Sequence, residues 1–152
     1  MRKLLVLLLL LLVIAGSYFG YIHFTAADLP TFGLTLSGEK GKVKNTTKKF
    51  LESIEFKNAD AIKSFMNSEV SAPDVDNFLN KTFDMPYDTV DLEKFSVEAI
   101  EMDSSNTRSK VRIRIMGNNQ TSKESFNKSK VLYWYFQPDM RTWLIDIKNL
   151  SL

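Results

Sequence analysis

The chain has 152 residues, 44% of them hydrophobic, which leaves room for one membrane segment and one domain of roughly 100 to 110 residues. Without Arg2 and Lys3 the basic and acidic residues are equal in number, and this balance argues against nucleic-acid binding. The absence of cysteine excludes disulfides, thiolate metal sites, cysteine nucleophiles and a lipidated cysteine.

The first 24 residues are typical of a membrane anchor. Leu4 to Phe24 is an uncharged run of 21 residues, about 31 Å long as a helix and close to the thickness of a bilayer core. Arg2 and Lys3 precede it, which favours an amino end in the cytoplasm and a C-terminal domain outside. We therefore expect a single-pass protein of the cell membrane. Cleavage at Ala15-Gly16-Ser17, or at Ala26-Ala27, would instead give a secreted domain.

Residues 25–42 are predicted to form an irregular linker, and residues 43–152 an extracytoplasmic domain. The linker contains Pro30 and three glycines and shows no lasting apolar period. The domain opens with a helical apolar pattern at Val43, Phe50, Leu51 and Ile54. Asn58 and the Ser71-Ala72-Pro73-Asp74 sequence are typical helix starts, so two further helices are expected.

After Met85-Pro86-Tyr87 the apolar period changes from 3.6 to 2, which predicts strands. The apolar phase shifts near Ala99, where we expect a β-bulge, and a polar turn follows at residues 103–107. Val111, Ile113 and Ile115 then alternate with basic residues. Gly117 to Lys128 is predicted to be a long polar loop. Two more strands follow it, Val131 to Phe136, which is expected to be central, and Trp143 to Ile147.

Helices followed by antiparallel strands predict an α+β domain, with about three helices packed on a curved, cone-like, four-stranded sheet. The pair of segments Thr47 to Ile54 and Asn58 to Met66, with terminal hairpins that close on Trp143-Leu144-Ile145, resembles the cystatin-like, nuclear-transport-factor-2-like superfamily. The likeness is to its small membrane-tethered or lipoprotein-like bacterial members, whose role is unknown. The resemblance implies the fold and does not specify a function.

Catalysis is not expected. Enzymes of this superfamily that resemble ketosteroid isomerases or scytalone dehydratases place Asp or His in the pocket, but the only histidine here, His23, lies in the apolar segment. Asp60, Asp84 and Asp146 are interpreted as structural. The acidic stretch 69–93 lacks the spacing of a calcium loop and is interpreted as a solvated face. No catalytic residue, cofactor or metal ligand is predicted.

Strand alternation indicates one candidate interaction surface, because it places three basic residues on one face and separates the tyrosines of the last long strand from Trp134. The basic residues have three possible partners: an acidic protein, anionic lipid headgroups, or Glu98 and Glu101 on the neighbouring strand. The tyrosines suit a protein partner or self-association. The candidate surface comprises Lys110, Arg112, Arg114, Tyr133 and Tyr135.

These features favour a membrane-tethered binding or assembly module without catalytic activity, with a protein partner or self-association and no nucleic acid. Its layout is similar to that of scaffold subunits of type IV secretion and conjugation systems, which would make it a subunit of an envelope complex. The alternative is a pocket protein of the same fold, which would bind a small apolar molecule or act as a weak hydrolase or isomerase.

Overall fold

The computed structural model describes residues 2–25 and 38–147. Within these ranges the chain forms four helices, one short 3-10 turn and four strands. It divides into two compact units, Met1–Lys44 and Asn45–Leu152. Residues 26–37, which make up most of the predicted linker, lie outside the described residues.

Helix α1 covers Arg2–Thr25 and contains the uncharged run. Every side chain from Val6 to Ile14 is more than half exposed. In the described part of the chain, no helix combines the length and the apolar character needed to cross a membrane.

Helix α2 covers Glu39–Glu55 and is amphipathic, as its sequence predicts. It begins before Val43, where the sequence suggested a start. The additional first turn is polar and therefore gives no apolar signal. Lys42 and Glu39 form an ion pair within it at 2.7 Å. The buried side chains of this helix include the predicted set of Val43, Phe50, Leu51 and Ile54.

Helix α3 covers Ala59–Ser64, and helix α4 covers Ala72–Phe83. The predicted caps, Asn58 and Ser71, precede them. In each case the side-chain oxygen accepts a hydrogen bond from the backbone N–H three residues later. These bonds provide an acceptor for an N–H group that has no partner inside the helix. Helix α4 ends at Asp84, which adopts a left-handed conformation with φ of 55°.

The sheet is antiparallel and four-stranded, as expected, and its strand order is β1-β2-β3-β4. A 3-10 turn at Tyr87–Thr89 leads into it. The strands are β1 (Val90–Met102), β2 (Arg108–Asn119), β3 (Ser125–Gln137) and β4 (Thr142–Ile145). The α+β class is therefore confirmed, and β3 is central because it pairs with both β2 and β4.

Strand β1 contains two register shifts against β2, between Leu92 and Lys94 and between Val97 and Ala99. The second confirms the bulge predicted near Ala99. Glu98 is the extra residue there, so its side chain is placed by the bulge and not by simple alternation.

The predicted loop from Gly117 to Lys128 is wrong. Strand β2 continues to Asn119 and β3 begins at Ser125, so only a short turn separates them. The polar character of these strand ends concealed the pairing. Asn119 stabilises the turn, because its Oδ1 accepts hydrogen bonds from the N–H groups of Thr121 and Ser122 at 2.8 and 3.0 Å.

An aromatic cluster joins the helices to one face of the sheet. Trp134 of β3 is 1% exposed, and its ring meets Phe50 of α2 edge-on at 6.0 Å between centroids. Phe65, at the end of α3, and Phe78 of α4 complete the cluster around Phe50. Because Trp134 faces the helices, the tyrosines on either side of it project from the opposite face.

Candidate interaction surface

The predicted surface residues lie together on the sheet face that points away from the helices. Val111, Ile113 and Ile115 are fully buried on the helix side, so the basic residues between them project outward. We call this outward side the open sheet face. It comprises Arg108, Lys110, Arg112, Arg114, Val131, Tyr133 and Tyr135.

The register places each tyrosine beside a cation. Lys110 lies opposite Tyr133, and Arg108 lies opposite Tyr135. Side chains that are directly opposite in an antiparallel pair are in contact range, so each aromatic ring and its cation form one mixed patch. Tyr133 and Tyr135 are both half-buried, with part of each ring accessible.

The four cations of β2 differ in how far they are neutralised. Arg114 donates from Nε to Glu98 Oε1 at 2.6 Å, and the Ser129 hydroxyl donates to the other oxygen of Glu98 at 3.0 Å. The hydrogen bond from Arg114 is the main reason why the pKa of Glu98 lies below its usual value, and the bond from Ser129 adds to it. Lys110 Nζ is 3.9 Å from Glu101, which is a loose contact.

Arg112 lies between Ala99 on β1 and Val131 on β3. It is exposed and forms no ion pair or hydrogen bond with any residue that the structure describes. The prediction that Glu98 and Glu101 satisfy the basic residues is therefore confirmed for Arg114 and loosely for Lys110. Arg112 is attracted to Glu98 only through space, without a direct contact, and this attraction is the last of the causes that lower the pKa of Glu98.

A cleft of about 250 Å³ opens at the end of this face nearest the β1–β2 turn. Arg108, Lys110, Tyr133, Tyr135 and Asp146 are among the residues that line it. An adjoining cleft of about 400 Å³ shares Arg108, Tyr135 and Asp146. The open sheet face therefore has a shaped depression at one end.

Tyr135 lines both clefts and lies at the boundary between them. Burial raises the pKa of its phenol, the nearby Asp146 carboxylate raises the pKa further, and a hydrogen bond with the Asn67 side chain acts in the opposite direction. The tyrosine is therefore neutral at physiological pH and available as a hydrogen-bonding and apolar contact.

The turn between β1 and β2 positions Arg108. Asp103 Oδ1 accepts hydrogen bonds from the backbone N–H groups of Thr107 and Arg108 at 2.8 and 3.0 Å. The Ser105 hydroxyl donates to the other oxygen of Asp103 at 2.6 Å. These bonds, first that from Ser105 and then that from Arg108, lower the pKa of Asp103 to about 2. The sequence predicts the turn but does not predict this set of hydrogen bonds.

The three acids that the sequence predicts to be structural have different surroundings in the fold. Asp60 is exposed in the first turn of α3, where an acid stabilises the helix dipole. Asp84 ends α4 and accepts hydrogen bonds from Lys128 and Lys130 at 3.1 and 2.7 Å. Asp146 follows β4 and lines the clefts described above.

The three acids lie in different parts of the fold, and the side chain of His23 lies outside the described residues. Across the described ranges, no group of three or more acidic, histidine or cysteine side chains is arranged to hold a metal ion.

Arg108 and Val131 belong to the open sheet face, although neither is part of the surface predicted from the sequence. Arg108 is two residues from Lys110, and Val131 is two residues from Tyr133, so strand alternation places each pair on one face. This pattern alone could have predicted both residues as part of the surface. Phe50 and Trp134 occupy the space between helix and sheet in which the pocket alternative would place a ligand. The 250 Å³ cleft lies on the open sheet face, whereas the 400 Å³ cleft also has Asn67 and Val70, between α3 and α4, in its lining. A cleft of about 420 Å³ opens beside α4 and is lined by Phe78 and Ile147, among others.

No protein-family model and no curated protein matches the chain. Among solved structures, the chain is similar to the intermembrane space region of the chloroplast protein ARC6, with 10% sequence identity and a TM-score of 0.43. The match covers 70% of this chain and 91% of that chain. A likeness this distant carries no argument about function.

Proposed function

We propose that this protein is a membrane-tethered docking module that holds another protein through its open sheet face. The observation that carries the proposal is the juxtaposition of half-buried tyrosines with accessible cations on adjacent strands, Tyr133 beside the half-buried Lys110 and Tyr135 beside the exposed Arg108. Tyrosine and arginine are enriched in protein interfaces, because they combine apolar contact area with directional hydrogen bonds.

Arg112, at the centre of the face, has only a through-space attraction to Glu98 and no direct contact with a described acid, which favours a binding role over a purely structural one. A cation that only stabilised the sheet would be expected to have an acid directly opposite it, as opposite charges across strands attract. Arg112 instead lies between Ala99 and Val131. Its guanidinium is available for a bidentate contact with a carboxylate of another molecule.

The proposed function includes a location in the cell. The uncharged run from Leu4 to Phe24, behind Arg2 and Lys3, anchors the chain in the cell membrane and leaves the C-terminal domain outside the cytoplasm. The domain is a small cone-like variant of the nuclear-transport-factor-2-like fold, and its partner is another component of the cell envelope. Its lack of catalysis is also part of the proposal and rests on the sequence, which has one histidine and no cysteine.

The competing function, a small-ligand pocket in the cone, has weaker support. Phe50, Phe65 and Trp134 meet at centroid distances of 5.7 to 6.4 Å and occupy the region between helices and sheet. A ligand would have to displace this packing. The open sheet face requires no such rearrangement.

A photo-crosslinking experiment tests the docking function. p-Benzoylphenylalanine at position 131 of the full chain, in native membranes, should give an adduct of defined mass on irradiation, and Arg112→Glu should remove it. The same photoreactive residue at position 52, exposed on α2, is the matched control and should give no such adduct. Equal labelling from positions 131 and 52, or an adduct indifferent to Arg112→Glu, would count against docking through this face.

A further inference from the structure

We propose that the partner presents an extended acidic segment, with carboxylates at alternate residues, that lies along β2 on the open sheet face. This inference rests on the docking function proposed above and specifies its ligand. It follows from the spacing, the neutralisation and the surroundings of the cations on β2.

The spacing of the cations matches that of an extended chain. Arg108, Lys110, Arg112 and Arg114 occupy every second position of one strand. Side chains on one face of a strand repeat about every 6.8 Å, so the row is roughly 20 Å long. A peptide in extended conformation has the same repeat, so acids at every second residue would meet successive cations in register.

Two acids of β1, Glu98 and Glu101, divide the row of β2 cations into an occupied part and a part that is available to a partner. Glu98 is held by both Arg114 and Ser129, at 2.6 and 3.0 Å. A partner carboxylate would have to break both bonds to reach Arg114. Glu101 is exposed and only 3.9 Å from Lys110, so a partner displaces it easily. The contact cations are therefore Arg108, Lys110 and Arg112, and Arg114 is a fixed end of the row.

The tyrosines provide apolar contact beside the same cations. Tyr133 and Tyr135 flank the available part of the row, and the cleft of about 250 Å³ begins there. A polypeptide supplies both the carboxylates and the side chains that cover the rings. This combination favours an acidic peptide over an anionic lipid headgroup, which does not present a row of charges at the repeat of a strand. The balance of basic and acidic residues outside Arg2 and Lys3 argues against a single-stranded nucleic acid.

The test is a fluorescence anisotropy titration of the full chain in an uncharged detergent. The probe is a labelled peptide that alternates Glu with Thr over about ten residues, long enough to cover the roughly 20 Å row. A peptide of the same composition, with all its glutamates in one block, is the control ligand. We expect tighter binding of the alternating peptide.

Three variants locate the contact. Arg112→Glu should weaken binding of the alternating peptide roughly tenfold, since it replaces an exposed attraction with a repulsion. Lys49→Glu makes the same change of charge on the exposed face of α2 and should have no effect. Glu101→Gln removes a competitor for Lys110 and should tighten binding about twofold.

Other results would overturn the inference. Equal affinity for the two peptides would show attraction to net charge without register. Binding of dihexanoyl-phosphatidylglycerol or of a thymidine oligonucleotide, lost with Arg112→Glu and without peptide binding, would assign the face to lipid or nucleic acid. If no probe binds but the Arg112-dependent adduct from position 131 forms, docking stands and the acidic segment is wrong. If that adduct is also absent, the docking function itself fails.

Discussion

Lys110 and Tyr133 lie directly opposite each other in the β2–β3 ladder, with both side chains on the open sheet face. A partner that pairs with the lysine must therefore also cover the aromatic ring. Their contributions to binding should not be additive, because residues in contact share one interaction. This pair illustrates how the sheet combines charge and apolar area at one place.

Gly117→Ala should destabilise the fold by more than about 2 kcal/mol, since overpacking of a close contact forces backbone movement. A Cβ at Gly117 would overlap the backbone carbonyl oxygen of Asp91 and crowd the ring of Phe126. Chemical denaturation of the full chain measures the loss. Gly16→Ala, whose Cβ would meet nothing within 4 Å, is the matched control and should leave the free energy of unfolding unchanged.

Phe50→Ala should cost about 3 to 5 kcal/mol, the usual range for a buried phenylalanine. Phe50 is fully buried and contacts rings from α3, α4 and β3. Phe56→Ala removes a side chain that is 77% exposed and should cost little. Similar losses for the two variants in thermal unfolding would contradict the packing described here.

Asp103→Asn should lower the melting temperature at neutral pH, and the difference from the original chain should disappear in acid. The folded pKa of Asp103 is depressed from 3.8 to about 2. Its stabilisation is therefore present above the unfolded pKa and is lost as the pH falls from about 4 to 2. Melting curves across this window provide the measurement. Asp139→Asn, an exposed change in the β3–β4 turn, is the control, and a gap that persists at pH 2 would refute the assignment.

Asp84→Asn should destabilise the domain by up to about 1 kcal/mol, because its ion pairs with Lys128 and Lys130 are partly exposed and screened by solvent. Asparagine tolerates the left-handed conformation of this helix end, so the variant isolates the effect of charge. High salt should reduce the difference in unfolding free energy. A loss that is independent of salt would point to the helix end and not to the ion pairs.

Much of the fold could be predicted from local pattern. The caps at Asn58 and Ser71 and the bulge near Ala99 all follow from short-range chemistry, and the structure confirms them. The prediction of a loop at Gly117–Lys128 is wrong because the strand ends are mostly polar, and a single buried aromatic residue, Phe126, does not establish an alternating pattern. The pairing of Gly117 with Phe126 and of Asn118 with Ser125 becomes evident only in the three-dimensional structure.

The candidate surface was partly predictable for the same reason. Alternation places Lys110, Arg112 and Arg114 on one face without any knowledge of the fold. It cannot show that Glu98 leaves the regular register at a bulge and bonds to Arg114. The distinction between a neutralised Arg114 and an available Arg112 therefore required the three-dimensional structure.

Lysine footprinting can show whether a partner covers the open sheet face. Acetylation of Lys110 should be slower in native membranes than in the purified full chain, whereas exposed Lys49 on α2 should react at the same rate in both. Arg112→Glu should restore the rate at Lys110 in membranes. Equal rates at Lys110 in membranes and in the purified chain would mean that no partner covers the open sheet face.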